Sequence, residues 1–281
     1  MQPYAASDNL YQRDALFLDV RRESLFLAAH HPRAVNIPLE ELADRIHELP
    51  PPYETLLLFD MDPLRAEQAA AILHDRDRLV EVIAPDNVRW NDEAMVSGAS
   101  TARLWRPHGL LHELIAAMQA EWGDVKGRIA LDIACGAGRD AVFLAEQGLH
   151  VTAWDILPDA VTRCTDLARR TGVRLAASVR DVTIAGAIPP GAFDAVCCFN
   201  FLHRPLMPAL AEAVRPGGFV CYETFVDPQR ERFGKPARPE RVLRPGELAS
   251  FFNSWRVIVS REGLVSPRRI AASLIAQRPV T

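Results

Sequence analysis

A chain of 281 residues that is 49% hydrophobic can bury two cores of ordinary domain size, and no stretch of it approaches the ~18 uninterrupted apolar residues of a membrane span. The five cysteines (Cys135, Cys164, Cys197, Cys198, Cys221) lack C-x-x-C spacing, which argues against a disulfide framework and against a zinc site, and no metal is expected. Charge is uneven: residues 1–97 hold 9 Arg against 18 Asp plus Glu, and residues 98–281 hold 23 basic against 18 acidic, a pattern of two modules too mild on either side to demand nucleic acid.

The N-terminus MQPYAASDNL lacks the charged start and apolar middle of a signal peptide, so a cytoplasmic location is expected. ALFLDV (15–20) predicts a short buried strand, and PLEELADRIHEL (38–49) a helix with Leu39, Leu42, Ile46 and Leu49 along one face. The strand TLLLF (55–59), the helix LRAEQAAAILHD (64–75) and the strand LVEVIA (79–84) follow. This alternation implies a small α/β unit with a parallel sheet. MVSGASTA (95–102) is the candidate boundary, giving a first domain over 1–97, a linker and capping helix over 98–124, and a second domain over 125–281.

HGLLHELIAAMQAEW (108–122) is an amphipathic helix, and GRIALDIACGAGRDAVFLAEQG (127–148) reads as strand, glycine turn and helix. Further strands are predicted at HVTAWD, RLAASV, FDAVCCF, GGFVCYETF, WRVIVSREG and RIAASLIAQR. The whole is a doubly wound α/β sheet of Rossmann-like form whose last two strands, joined by a loop, form an antiparallel hairpin.

Gly136, Gly138 and Ala141 satisfy the G-x-G-x-x-G/A pattern of dinucleotide sites, a weak signal by itself. Asp132, four positions earlier at the strand exit, discriminates: its carboxylate repels a pyrophosphate and attracts an ammonium. Asp155 ends the second strand, where an acidic side chain accepts from ribose hydroxyls, and Asp181 ends the third, where it can accept from an adenine amino group. Singly, each is as well explained as a helix cap or turn residue; three at successive strand ends, beside a glycine turn, point to one ligand.

LDIACGAGR, TAWD, RDV and VRPGGFV together resemble the class I S-adenosylmethionine-dependent methyltransferases over about residues 105–278. Ala134 departs from the glycine common there, and GRDAVFLA is similar to the branch containing tellurite-resistance methyltransferases. The resemblance implies S-adenosylmethionine as cofactor, held by Asp132, Ala134, Cys135, Gly136, Gly138, Asp155, Ile156, Asp181, Val182 and Asn200, and transfer of its methyl group to a nucleophile by in-line displacement. Such chemistry needs positioning and exclusion of water, and a base only when the nucleophile is protonated. His203 is the candidate base and Arg204 the candidate anion clamp, set against a helix cap and a surface ion pair. Tyr222, Glu223 and Thr224 are candidate substrate residues by position, and Trp105 a candidate cover for the methionine end. The connection 227–247, with six basic residues and four prolines, predicts a positively charged lid in which Arg232 and Lys235 face a small anionic substrate.

FLDVRRE, HHPRAVNIPLEEL and LLLFDMDPLRAEQAAAIL resemble a rhodanese-like (sulfurtransferase) domain over about residues 14–95. Active members carry a cysteine in a C-x-x-x-x-R loop; here Asp60 takes that position, Arg65 keeps the arginine, and no cysteine precedes residue 135. A carboxylate cannot form a persulfide, so this domain is expected to be inactive and structural, regulatory or protein-recruiting. LLLFDMD also resembles the nucleophile motif of haloacid-dehalogenase-type phosphatases, but residues 1–97 contain no lysine to steady a phosphate. The leading expectation is a methyltransferase for a small, anionic or soft (thiol or chalcogen) acceptor. A nicotinamide oxidoreductase and a non-catalytic cofactor-sensing or scaffold protein are the alternatives; RNA or protein methylation lacks a basic stripe interleaved with aromatics.

Overall fold

A computed structural model of the chain describes residues 16–85 and 95–280. Residues 1–14, where no signal peptide was expected, and Ala15 of the first expected strand lie outside the described residues. The chain divides into two compact units, Met1–Arg106 and Pro107–Thr281. Among the described residues no helix is long and apolar enough to cross a membrane.

In the first unit, strands β1 (Leu16–Asp19), β2 (Ala34–Asn36), β3 (Leu56–Phe59) and β4 (Val80–Val82) pair in parallel in the order β2-β1-β3-β4. All four residues of β3 are buried, as expected of a central parallel strand covered on both faces. Helix α3 (Pro63–His74) starts where the Asp62 side chain accepts from the Leu64 amide at 2.9 Å and Pro63 presets the first helical φ. Its Ala66, Ala69 and Leu73 pack with Leu18, Leu56 and Leu58.

The helix expected over 38–49 is broken into α2 (Leu39–Leu42) and a single 3-10 turn, Ile46–Glu48. The Arg78 guanidinium donates to the carbonyls of Ile46 and Pro50, Arg45 bridges Glu41 and Glu48, and the prolines at 50–52 bar continuation. Helix α1 (Glu23–Ala28) and β2 had no sequence forecast; at six and three residues they are too short to display a period.

In the second unit, β5 (Ile129–Ile133), β6 (His150–Asp155), β7 (Ala176–Val179), β8 (Phe193–Phe199), β9 (Val214–Phe225), β10 (Arg256–Ser266) and β11 (Arg269–Gln277) form one sheet, ordered β10-β11-β9-β8-β5-β6-β7. Strands β5 to β9 are mutually parallel, β11 runs antiparallel to β9, and β10 pairs with β11 as the expected hairpin. Alternation along the strands feeds two cores. Ala130, Ala153, Cys197, Phe219 and Cys221 face α4 (Leu110–Trp122) and α5 (Arg139–Glu146), whereas Leu131, Val196, Cys198, Val220 and Tyr222 face α7 (Met207–Ala213).

Chain order runs outward from β5 through β6 to β7 on one side and from β8 onward on the other. Such a reversal leaves a crevice above the carboxyl ends of the two middle strands. The connection 227–247 is not the irregular loop its prolines suggested: it opens with helix α8 (Asp227–Phe233), continues through a 3-10 turn (Pro239–Arg241) and ends at α9 (Glu247–Ser250). The Gln229 side chain ties α8 to the terminal hairpin, accepting from the Ile270 amide at 2.6 Å and donating to the Arg268 carbonyl at 3.3 Å.

Candidate functional site

Above the carboxyl ends of β5, β6 and β8 lies a cavity of about 570 Å³. Its floor includes Ala134 and Asn200, the residues that follow β5 and β8. Both hold φ in the left-handed region, at +56° and +59°, although neither is glycine. A side chain there costs on the order of 1 kcal/mol, and the surrounding turn imposes it.

The turn itself is built on backbone. The Gly136 amide donates to Asp155 Oδ2 at 2.9 Å, the Cys135 amide to the Trp154 carbonyl at 3.0 Å, and the Leu157 amide to Asp155 Oδ1 at 2.9 Å. Gly136 has φ +54°, and a Cβ on it would meet open space, so its surface is bare backbone exposed to a ligand. Gly138 has the opposite reason to lack a side chain: a Cβ would stand 2.3 Å from Cys164 Sγ, on α6 (Pro158–Thr171). One glycine opens a surface and the other permits close helix packing.

Asp155 and Asp181 line the same wall of the cavity. Asp181 Oδ1 accepts from the Thr183 amide and hydroxyl, at 2.9 and 2.6 Å, and these bonds hold its carboxyl below the usual carboxylate range. Ile156 and Val182 flank the two carboxylates, and Phe201, Leu202 and Phe225 add apolar surface. Arg238, Glu240 and Arg241, from the turn after α8, and Pro236 complete the lining.

Of the expected cofactor residues, Ala134, Asp155, Ile156, Asp181, Val182 and Asn200 are thus brought together around one cavity, while Asp132, Cys135, Gly136 and Gly138 sit in or behind the turn. Asp132 is buried with Oδ2 unpartnered. Burial, with Asp140 and Cys135 nearby, pushes its carboxyl well above the ordinary range, so the group favours its protonated form, and a cation placed beside it would draw that proton off and gain a carboxylate partner.

The sequence-derived acceptor residues fare differently. His203 lines the cavity near Asp181. Arg204 does not act there as an anion clamp: its Nε and Nη2 bind both Glu247 oxygens, at 2.6 and 2.8 Å, while Nη1 and Nη2 donate to the carbonyls of Glu240 and Val242, each at 2.9 Å. Tyr222 is buried and donates to the Phe201 carbonyl at 2.6 Å. Glu223 is buried too, accepting from Ser273 at 2.6 Å and paired ionically with His108 at 2.9 Å and Arg269 at 2.8 Å. Burial pushes Glu223 up, but His108 and Arg269 outweigh it and hold the carboxyl below its usual value. Thr224 is buried with its hydroxyl unpartnered. Arg232 lies 5.3 Å over the Phe233 ring, and neither it nor Lys235 lines the cavity. Arg238 and Arg241, of the same basic run, line the cavity instead. Trp105 falls in the first unit, buried beneath Arg103 at 4.7 Å. His108, whose amide also donates to Asp140 at 2.6 Å and whose ring stacks on Phe199, had no sequence signal beyond preceding the helix.

Residues 130–218 match the sequence profile of the Methyltransferase domain family. The second unit is a class I S-adenosylmethionine-dependent methyltransferase domain. A solved structure from work on conversion of a disulfide bond into a thioacetal group in echinomycin biosynthesis shares the fold, with TM-score 0.50, 23% identity and coverage of 63% of this chain and 84% of that one. A ubiquinone biosynthesis O-methyltransferase of Xylella fastidiosa is 30% identical over 44% of this chain and 55% of its own length, so the chain spans just over half of that relative. An uncharacterized protein of Schizosaccharomyces pombe is 24% identical over 93% of both chains. The nicotinamide alternative for the glycine turn is not favoured beside this domain. The site fits S-adenosylmethionine on its own terms: an orphaned buried carboxylate for an ammonium, bare backbone at Gly136, and two carboxylates with spare lone pairs among apolar residues for a nucleoside.

In the first unit, Asp60 is buried and accepts from the Asp62 amide and from Arg65 Nε, both at 3.0 Å. Arg65 also reaches Glu40 at 2.7 Å and the Val20 carbonyl at 3.3 Å; its hydrogen bond draws the Glu40 carboxyl down to about 2. The loop's arginine is therefore occupied by the chain's own carboxylates.

Two measurements check these assignments. Ala134→Gly relieves the left-handed strain and should raise stability by about 1 kcal/mol in denaturant titration. Because the Asp132 pKa is raised on folding, its protonated form favours the folded state; that contribution is complete below the unfolded-chain value of about 4 and is lost as pH rises through the raised one. Asp132→Asn should therefore flatten the decline in stability between pH 4 and neutrality, as seen in melting curves against pH.

Proposed function

We propose that the whole chain is an S-adenosylmethionine-dependent methyltransferase for a small acceptor that is anionic or presents a soft thiol or chalcogen atom, served by a first domain that is rhodanese-like and catalytically silent. The observation that carries the acceptor class is that Arg238 and Arg241 line the same cavity as Asp155 and Asp181. Two guanidiniums at the rim of a carboxylate-lined cavity favour a negatively charged second ligand beside a cationic first one.

S-adenosylmethionine supplies an activated methyl group when bound. The chain's own residues do the positioning. Asp155 offers its remaining lone pairs to the ribose hydroxyls while holding the Gly136 amide; Asp181 offers Oδ2 to the adenine end; Asp132 meets the ammonium. Phe201, Leu202 and Phe225 exclude water from the reacting end. His203, at the cavity wall, takes the proton from an acceptor that carries one.

Silence of the first domain is supported by Asp60, which stands where a persulfide-forming cysteine would be needed and is locked to Arg65. Its role is then to recruit a protein partner or to shape the enzyme. A second acceptor reading, O-methylation of a phenolic compound, is favoured by the O-methyltransferase relative.

Calorimetric titration of the full chain tests the cofactor, and a mass-spectrometric methylation panel tests the acceptor. S-adenosylmethionine and S-adenosylhomocysteine should bind and NAD should not; a small thiol, selenite or tellurite should gain 14 mass units per methyl group (about 14, replacing H by CH₃). Methylation of a catechol alone would replace the anionic reading with the phenolic one.

A further inference from the structure

Arg204 was expected at the acceptor, yet the bonds it makes go to Glu240, Val242 and Glu247, at the distal end of the segment that closes the cavity and just beyond it. It leads the 3-10 turn Arg204–Leu206, directly after Phe201, Leu202 and His203, which form one wall. Pro236, Arg238, Glu240 and Arg241, from a separate stretch of chain, line the same cavity. Between them stands a single guanidinium that grips Glu247 through two parallel bonds and the carbonyls of Glu240 and Val242 through two more. Planar, bidentate pairing of this kind fixes geometry as well as distance.

The far root of the closing segment is anchored without Arg204. Leu243 is fully buried, its amide donates to the Phe225 carbonyl at 2.8 Å, and its carbonyl accepts from Asp227 at 2.9 Å. The near root is Gly234, which ends α8 with φ +70°. Residues 235–241 therefore hang between a flexible glycine and a pinned strand bridge, with Arg204 fastening their distal half to the opposite wall. Glu247 is itself oriented by the Arg244 amide at 2.8 Å, so the carboxylate is presented ready-made to the guanidinium.

We propose that Arg204 is a positioning residue, a latch that holds segment 235–241 shut over the donor cavity and thereby sets the affinity for S-adenosylmethionine and its demethylated product. The inference rests on the donor reading above. Arg204 touches neither donor nor acceptor; it acts through the wall it fastens. Its loss frees the segment to swing about Gly234 while Leu243 stays paired, so the cavity opens without unfolding.

Titration of the full chain with S-adenosylhomocysteine, together with limited trypsin digestion, tests the latch. Within 234–247, Lys235, Arg238 and Arg244 each precede proline, which blocks trypsin, so cleavage after Arg241 reports opening of this segment. Arg204→Ala should weaken S-adenosylhomocysteine roughly tenfold and speed cleavage after Arg241, with Arg204→Lys intermediate because it keeps the charge and loses the fork. Saturating S-adenosylhomocysteine should slow that cleavage in the unaltered chain. Should Arg204→Ala fail to fold, Glu247→Gln carries the same readouts with a smaller loss. Unaltered affinity in whichever variant folds overturns the latch, whatever its cleavage rate. Absence of binding to the unaltered chain would instead overturn the donor reading itself.

Discussion

The carboxylate of Asp155 accepting the Gly136 amide couples the end of β6 to the turn that leaves β5, and the rest of the site takes its shape from that bond. Without it the Gly136 amide would lose its acceptor and the bend would be held only by the Cys135 amide on the Trp154 carbonyl. With it, the turn is held open-faced, Ala134 is kept at φ +56°, and the same carboxylate still projects lone pairs into the cavity. One side chain thus serves folding and ligand binding together. The reversal of strand order at β5 and β8 supplies the place, since only there do two strand ends diverge enough to leave a crevice.

Charge is distributed around that crevice in a way that ordinary folding does not require. Asp132 is buried with Oδ2 lacking a hydrogen-bond partner among the described residues, while Glu223 is buried against the Arg269 guanidinium, the His108 ring and the Ser273 hydroxyl, so one carboxyl group is met by the chain's own residues and the other is available to a ligand. Leaving an acceptor unmatched costs stability, and a cationic ligand that restores the match gains differential affinity for the folded chain. The first unit shows the opposite solution. There Asp60, Arg65 and Glu40 satisfy one another, and the loop is closed to outside anions by its own residues.

The sheet of the second unit was legible because its strands are uniformly apolar and its turns carry glycine: HVTAWD and FDAVCCF coincide with β6 and β8 residue for residue. Asp155, Asp181 and Asn200 were legible for a related reason, as strand position fixes where the last side chain points. Arg204 was not. Its partners lie 36 to 43 residues onward, and nothing local distinguishes a guanidinium facing a ligand from one facing Glu247. Among the basic residues of the connection, Arg238 and Arg241 line the cavity while Arg232 lies over Phe233 on α8, a helix that the proline-rich run hid. The helix expected over 38–49 is interrupted between Leu42 and Ile46, and Arg78, far along the chain, caps the Ile46 and Pro50 carbonyls at its end. Short-range pattern predicted short-range structure; long-range arginine pairing escaped it.

A crystal structure of the full chain with S-adenosylhomocysteine tests the central claim most directly. The account requires the ribose hydroxyls on Asp155, the adenine beside Asp181 and Val182, and the amino group facing Asp132 across the turn. A crevice that stays vacant at saturating ligand, or that instead accepts the pyrophosphate of a dinucleotide against Gly136, would contradict it.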